Sequence, residues 1–244
     1  MNLTKEKISE KLKVSGGHLL VSMAFGLAAL LLIYLSWYPD VLAKGMRISS
    51  IVGILFVVDV LMGPLLTFVV YDASKKYIKY DLIVIFSLQI MALFIGLNSI
   101  FQGRPEWLVF VEDRFEIARY VDIDSEYKNH DSLKSSFWAP RWVAVPLMST
   151  EQKDIVLSEV LKGFPDVAFR PNMYREAGDV WVDIRSRSMS MSELEKFNSP
   201  DSIRDAVRGG GDIRWLPLIT PDGTYVVIVG LKKGDLKILD LKGG

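Results

Sequence analysis

The 244 residues predict a membrane protein: three N-terminal transmembrane α-helices followed by a soluble α+β domain with an antiparallel sheet. Three observations predict it. Half of the residues are hydrophobic, and mean hydropathy is positive at +0.25. Three apolar runs, each roughly the twenty residues a bilayer-crossing helix needs, fall before residue 103. After residue 104 the pattern changes to short strand-like runs, capping signals and turn chemistry, over a length that can hold its own core. The domains are therefore a basic head (1–15), a transmembrane region (16–103) and an α+β domain (104–244).

Charge divides the same way. Residues 1–103 hold nine Lys/Arg and six Asp/Glu, and residues 104–244 hold twenty and twenty-three. An acidic second half argues against nucleic-acid binding, which needs a concentrated basic surface. The absence of cysteine removes disulfides, thiolate catalysis and Cys-zinc sites.

Lys5, Lys7, Lys11 and Lys13 make the head basic. The first span, 17–37, is too long for a signal-peptide core and has no convincing cleavage site after it. Ser22 and Gly26, with Ala29 nearby, form a small-residue stripe that admits a neighbouring helix; the same spacing is also ordinary filler in membrane helices. Trp37-Tyr38-Pro39 closes the span as an interfacial anchor and a helix stop.

The second span, 51–71, carries features that a plain anchor does not need. Asp59 lies near its middle, where a carboxylate costs on the order of 3 kcal/mol. Gly63-Pro64 follows one turn later, and Pro64 cannot donate to the carbonyl of Val60, which predicts a kink. Thr67 lies one further turn along. An intramembrane carboxylate is a functional candidate by default; the competing reading is a structural tie to Gln89 or to a carbonyl freed near Pro64. The third span, 82–101, has Gln89 and Asn98 as its polar members. Lys75, Lys76 and Lys79 precede it, so the positive-inside rule places the head and this loop in the cytoplasm. Three crossings then put residues 104–244 on the far side, in a bacterium the periplasm.

In the second half, Trp107–Val111, Phe115–Val121 and Trp142–Leu147 read as strands. Ser149-Thr-Glu-Gln152 is a capping box opening a helix that Gly163 and Pro165 stop. Asp179–Ile184 alternates as a half-buried strand would. Ser190 caps another turn, Ser199-Pro200 opens a helix, and Gly209-Gly210-Gly211 ends it. Ile213–Ile219, Tyr225–Leu231 and Leu236–Leu241, joined by TPDGT and KKGD, read as an antiparallel meander.

The remaining chemistry-bearing residues read blandly. His18 and His130 are isolated and read as surface or interfacial residues. Asp122, Asp124 and Glu126 alternate like a calcium loop, but Tyr127 and Leu133 stand where an EF-hand needs Gly and Glu. Of Trp138, Trp142, Trp181 and Trp215, most read as core, with one or two available for a contact surface. No catalytic motif, cofactor or metal set is expected.

Several stretches resemble one family. They are WYP at 37–39, VDVLMGPLLTFVV at 58–70, Asp81-Leu82, Gln89, Arg104-Pro105, Asp113-Arg114-Phe115 after Val109-Phe110, and Trp215-Leu216-Pro217-Leu218. Together they look like the TfpX/TfpZ type IV pilin accessory proteins. The resemblance implies an inner-membrane protein without known enzymatic activity whose partner is the major pilin. The polar and small residues of the spans, read by themselves, supply the candidate partner-binding positions for such a role: Asp59, Gly63, Pro64, Thr67, Gln89, Ser22 and Gly26, with membrane lipid as the other contact. Two alternatives stay open: a membrane enzyme modifying pilin, and a membrane-anchored periplasmic sensor. Intramembrane aspartyl chemistry normally uses two coupled aspartates. The short cytoplasmic segments hold no output module.

Overall fold

The computed structural model describes residues 2–124, 127, 136–206 and 213–243. Glu126, His130, Leu133 and Gly209–Gly211, named above, lie outside them. The helices described are α1 (Asn2–Leu32), α2 (Val41–Gly45), α3 (Ser49–Val57), α4 (Gly63–Val70), α5 (Ile78–Gln102), α6 (Thr150–Leu161), α7 (Trp181–Arg187) and α8 (Pro200–Ala206). The chain forms two compact units, Met1–Ser36 with Ile48–Phe101, and Trp37–Arg47 with Gln102–Gly244.

The first unit is helical. Three stretches are long and apolar enough to cross a membrane: Lys5–Trp37, Ser49–Val70 and Ile78–Gln102. The basic head is not a separate segment, because α1 begins at Asn2 and runs through it, continuing past Leu32 as a π-helical turn, Ile33–Trp37. The break expected at Pro64 takes the form of a second π turn, Val58–Met62, joining α3 to α4. A proline interrupts the i→i−4 ladder, and a π bulge is one way a helix absorbs that loss. One face of this span is buried, through Val52, Asp59, Val60, Gly63, Pro64 and Thr67.

The second unit is built on one sheet with strands β1 (Pro105–Val111), β2 (Arg114–Arg119), β3 (Arg141–Ala144), β4 (Arg175–Glu176), β5 (Met189–Ser190), β6 (Arg214–Thr220), β7 (Gly223–Val229) and β8 (Leu236–Leu239). Their order is β4-β3-β1-β2-β6-β7-β8, with β5 also on β6. The β6–β7–β8 meander is antiparallel as expected. The sheet as a whole is not: β1 pairs with β3, and β2 with β6, in parallel. Both parallel pairs join strands distant in sequence, where local pattern carries no register information.

Every residue of β1 is buried, which follows from its central place and the alternation of strand side chains. Leu108 and Phe110 enter one core with Phe115, Leu216, Leu218 and Val227. Trp107, Val109 and Val111 enter another with Val143, Val167 and Tyr174. A third cluster gathers Leu194, Trp215, Val226 and Leu239.

Asp179–Ile184 is a second correction. The segment is not a strand; α7 begins at Trp181 and places Trp181 and Ile184, three apart, in the first core. Val182 is 80% exposed, so the alternation did not correspond to two sheet faces. The Ser149 capping box is present, with Ser149 Oγ accepting from the Gln152 backbone at 3.3 Å and Gln152 Oε1 from the Ser149 backbone at 2.9 Å.

The loop 37–47 belongs to this unit. Leu42, on α2, is 2% exposed and belongs to the first core, as Trp181 does. Lys44 pairs with Asp240 at 2.8 Å, Arg47 with Asp222 at 2.7 Å, and the Asp222 amide donates to the Gly45 carbonyl at 3.0 Å. Trp37 and Tyr38, read as interfacial anchors, are 4% and 1% exposed, and Trp37 meets Phe137 edge-on. Burial holds the Tyr38 phenol above its usual range, against the nearby Arg119 and Arg104. Arg104 and Glu106, each 3% exposed, are 3.8 Å apart, and Arg104 lies over Tyr120.

Candidate functional site

The site lies inside the helical unit and grows from two helical periodicities. On α1, Ser15, His18, Ser22, Gly26 and Ala29 recur at spacings of three and four, which places them along one side. Along the second span, Asp59, Gly63 and Thr67 recur every four. Gly26 lets these two spans approach closely: a Cβ at that position would stand 3.0 Å from Val60 Cγ2 and 3.2 Å from Phe56 Cε2.

Polar groups cross-link the three spans. Ser15 Oγ donates to the Pro64 carbonyl at 2.7 Å. His18 Nδ1 and Thr67 Oγ1 are 2.6 Å apart, the donor being set by the tautomer. Gln89 Nε2 donates to Ser22 Oγ at 2.8 Å and to the backbone carbonyl of Asp59. The second of these bonds has a cause in the sequence. In an i→i−5 register the carbonyl of Asp59 faces residue 64, and a proline there has nothing to donate. Gln89 supplies that missing donor. Gly63 makes room for it, since a Cβ at position 63 would overlap the Gln89 amide.

The tie between Asp59 and Gln89 thus runs through the Asp59 backbone, not its side chain. The carboxylate is left over. Asp59 is 4% exposed, and neither oxygen has a hydrogen-bond partner among the described residues. It borders a small cavity whose other walls include Gly26, Ala29, Ile33, Phe56 and Leu93. A buried charged carboxylate without donors is strongly disfavoured, so the group is either neutral or given donors by something else.

The seven residues singled out in the sequence thus lie along one seam between the helices, with Ser22, Gly26, Asp59, Gly63 and Gln89 grouped together and Pro64 and Thr67 further along, against Ser15 and His18. His18 does not stand apart, as its isolation in sequence implied; it is half-buried and bound to Thr67. Ser15 was missed as well. Both stand three or four residues from the next polar position on α1, a helical spacing visible in the sequence. Elsewhere, Asp122 is engaged by Arg119 at 2.6 Å, which gives it a structural partner, and Trp138 is 65% exposed while Trp215 is buried and donates to the Ser190 carbonyl. Among the described residues, no group of three His, Cys, Asp or Glu side chains is placed to hold a metal.

Comparison with known proteins adds a family. The fimbrial assembly protein of serogroups C1 and C2 of Dichelobacter nodosus is 33% identical over 125 residues, covering 50% of this chain and 94% of that protein. The chain belongs to the fimbrial assembly protein family. A serogroup E1 member from the same organism is 27% identical over 213 residues, 81% of this chain and 79% of its own length. A serogroup I member is 34% identical over 125 residues, 50% of this chain, and the match spans 48% of that relative. No family model matches the chain, and no solved structure does.

Proposed function

We propose that this chain is a non-enzymatic inner-membrane accessory protein of type IV pilus biogenesis, of the TfpX/TfpZ kind, which holds the pilin subunit before assembly. In this reading the three apolar helices cross the inner membrane with the N-terminus in the cytoplasm, and the sheet unit faces the periplasm. Membership of the fimbrial assembly family supports a role in fimbrial biogenesis. The lysine distribution supports the orientation. So does the loop 37–47: it folds with residues 102–244, and two crossings between those segments return the chain to the same side.

The observation that carries the mechanism is the Asp59 carboxyl group, buried among helices and without a donor among the described residues. A subunit waiting in the membrane brings an apolar helix with polar groups that lipid cannot satisfy. Asp59 offers such a group an acceptor, either for a positively charged chain end or for a helix amide. The Ser22–Gly26–Ala29 stripe offers close approach. The sheet unit offers a surface to the soluble head of the same subunit.

The test is deletion followed by separate measurement of total pilin and of surface pili, with complementation by wild type and by Asp59→Asn. The reading predicts that surface pili fall on deletion and return with wild type but not with the variant at normal abundance. Unchanged surface pili in the deletion strain contradict it.

A further inference from the structure

We propose that the cavity beside Asp59 is a size-limited receptor for a primary ammonium group carried into the bilayer on an apolar chain. The proposal rests on the reading that these spans hold a partner's helix, and it names the chemistry they select. Three observations lead to it. The first is charge: two buried carboxylate oxygens accept hydrogen bonds and have no donor among the described residues. A carboxyl in that state stays neutral until a partner arrives, and the partner that best restores its charge is a cation that also donates. The second is composition: apart from Asp59, the residues lining the cavity are apolar or glycine, among them Ala29, Ile33, Phe56 and Leu93. The wall gives an ion no other ligand, so a metal ion that needs several oxygens is poorly served.

The third is size. The cavity measures about 10 Å³, close to the roughly 10–15 Å³ that one water-sized group requires. An ammonium is a compact point charge with three donors, whereas a guanidinium is a planar fork of several nitrogens. A quaternary ammonium is bulkier and has no N–H to give. The room therefore favours the compact primary ammonium over the two bulkier cations. Gly26 helps keep the walls this close, because its missing side chain lets Val60 and Phe56 lie against α1.

The test uses the full-length chain in nanodiscs of neutral lipid, which removes attraction of cations to acidic headgroups. The probe is a single apolar transmembrane peptide in four forms: free α-amine, N-acetylated, N-terminally guanidinylated, and N-acetylated with one lysine at the same depth. Association is read by fluorescence energy transfer. The free-amine peptide is expected to associate more tightly than the acetylated and guanidinylated forms, on the order of thirty-fold or more, as for truncation of one partner in a buried charge pair. Asp59→Asn, nearly isosteric, should abolish that preference while leaving the chain folded. Val52→Ile, which adds one methyl group to the cavity wall without touching the charge, should weaken the free-amine peptide selectively.

Capture of the lysine form as well would assign the site to any primary ammonium, and capture of the free-amine form alone to a chain terminus; both outcomes support the proposal. Equal association of the acetylated or guanidinylated peptide, or a preference retained in Asp59→Asn, overturns it. If the ammonium preference is absent while deletion still removes surface pili, only this proposal fails. If deletion leaves surface pili unchanged, the assembly reading itself fails.

Discussion

Gly63 is the residue on which the helical unit is most sensitive to a single methyl group. A Cβ there would collide with the Gln89 amide, which bridges Ser22 and the Asp59 carbonyl. Gly63→Ala should therefore cost about 1–3 kcal/mol, the usual range for overpacking a tight site. Most of that cost should disappear in a Gln89→Ala background, because the clash and the bridge share one side chain. Thermal unfolding of the four chains in detergent checks this, and simple additivity would contradict it. In the sheet unit, Arg47 and then Tyr225 donate to Asp222 and hold its carboxyl below the ordinary range. Burial, and then the bond to Asp222, push the Tyr225 phenol up to about 12. Because the folded pKa of Asp222 lies below the unfolded one, its contribution is complete above the unfolded value and is lost as pH falls through the folded value. Proteolysis of the 37–47 loop should consequently accelerate on acidification, and Asp222→Asn should show a flatter acid dependence.

Among the elements, α2 links two parts of the account. It is one short helix, yet its Leu42 reaches the same core as Phe110, Leu216 and Trp181. Leu42→Ala should destabilise the sheet unit by about 2–5 kcal/mol, the range for a buried leucine, read from the unfolding of its buried tryptophans. A change close to zero would mean that the loop is not anchored there. This packing was not legible in the sequence, because five residues of helix between two spans read as a loop. The elements that were legible are those whose signals are local: the Ser149 capping box, the Ser199-Pro200 helix start and the β6–β7–β8 meander with its turns. The failures are non-local. Nothing near β1 or β2 announces a parallel neighbour from residues 141–144 or 214–220. Asp179–Ile184 satisfies both periods over so short a stretch, and the burial of Trp181 and Ile184, three apart, in one core decides for helix. The candidate site was legible for the opposite reason. In an apolar helix each polar residue is conspicuous, and a shared helical period brings such residues to one face. What the sequence could not show is that Gln89 would take the backbone of Asp59 and leave the carboxylate over.

At the scale of the whole molecule, the chain has a helical unit fit to cross a membrane and a sheet unit that includes the loop between the first two apolar helices. That connectivity predicts that both the 37–47 loop and the C-terminus face away from the cytoplasm. A reporter active only in the cytosol should be silent at residue 244 and active when fused after residue 76; the reverse pattern would invert the topology. The central claim is that the polar seam around Asp59 meets the pilin helix inside the bilayer. The measurement that tests it most directly is photo-crosslinking in living cells from position 93, on the cavity wall, with position 94, which is 71% exposed, as the neighbouring control. A pilin adduct is expected from position 93, lost in Asp59→Asn and much weaker from position 94. Equal pilin capture from both positions, or an adduct from position 93 indifferent to Asp59, would contradict it.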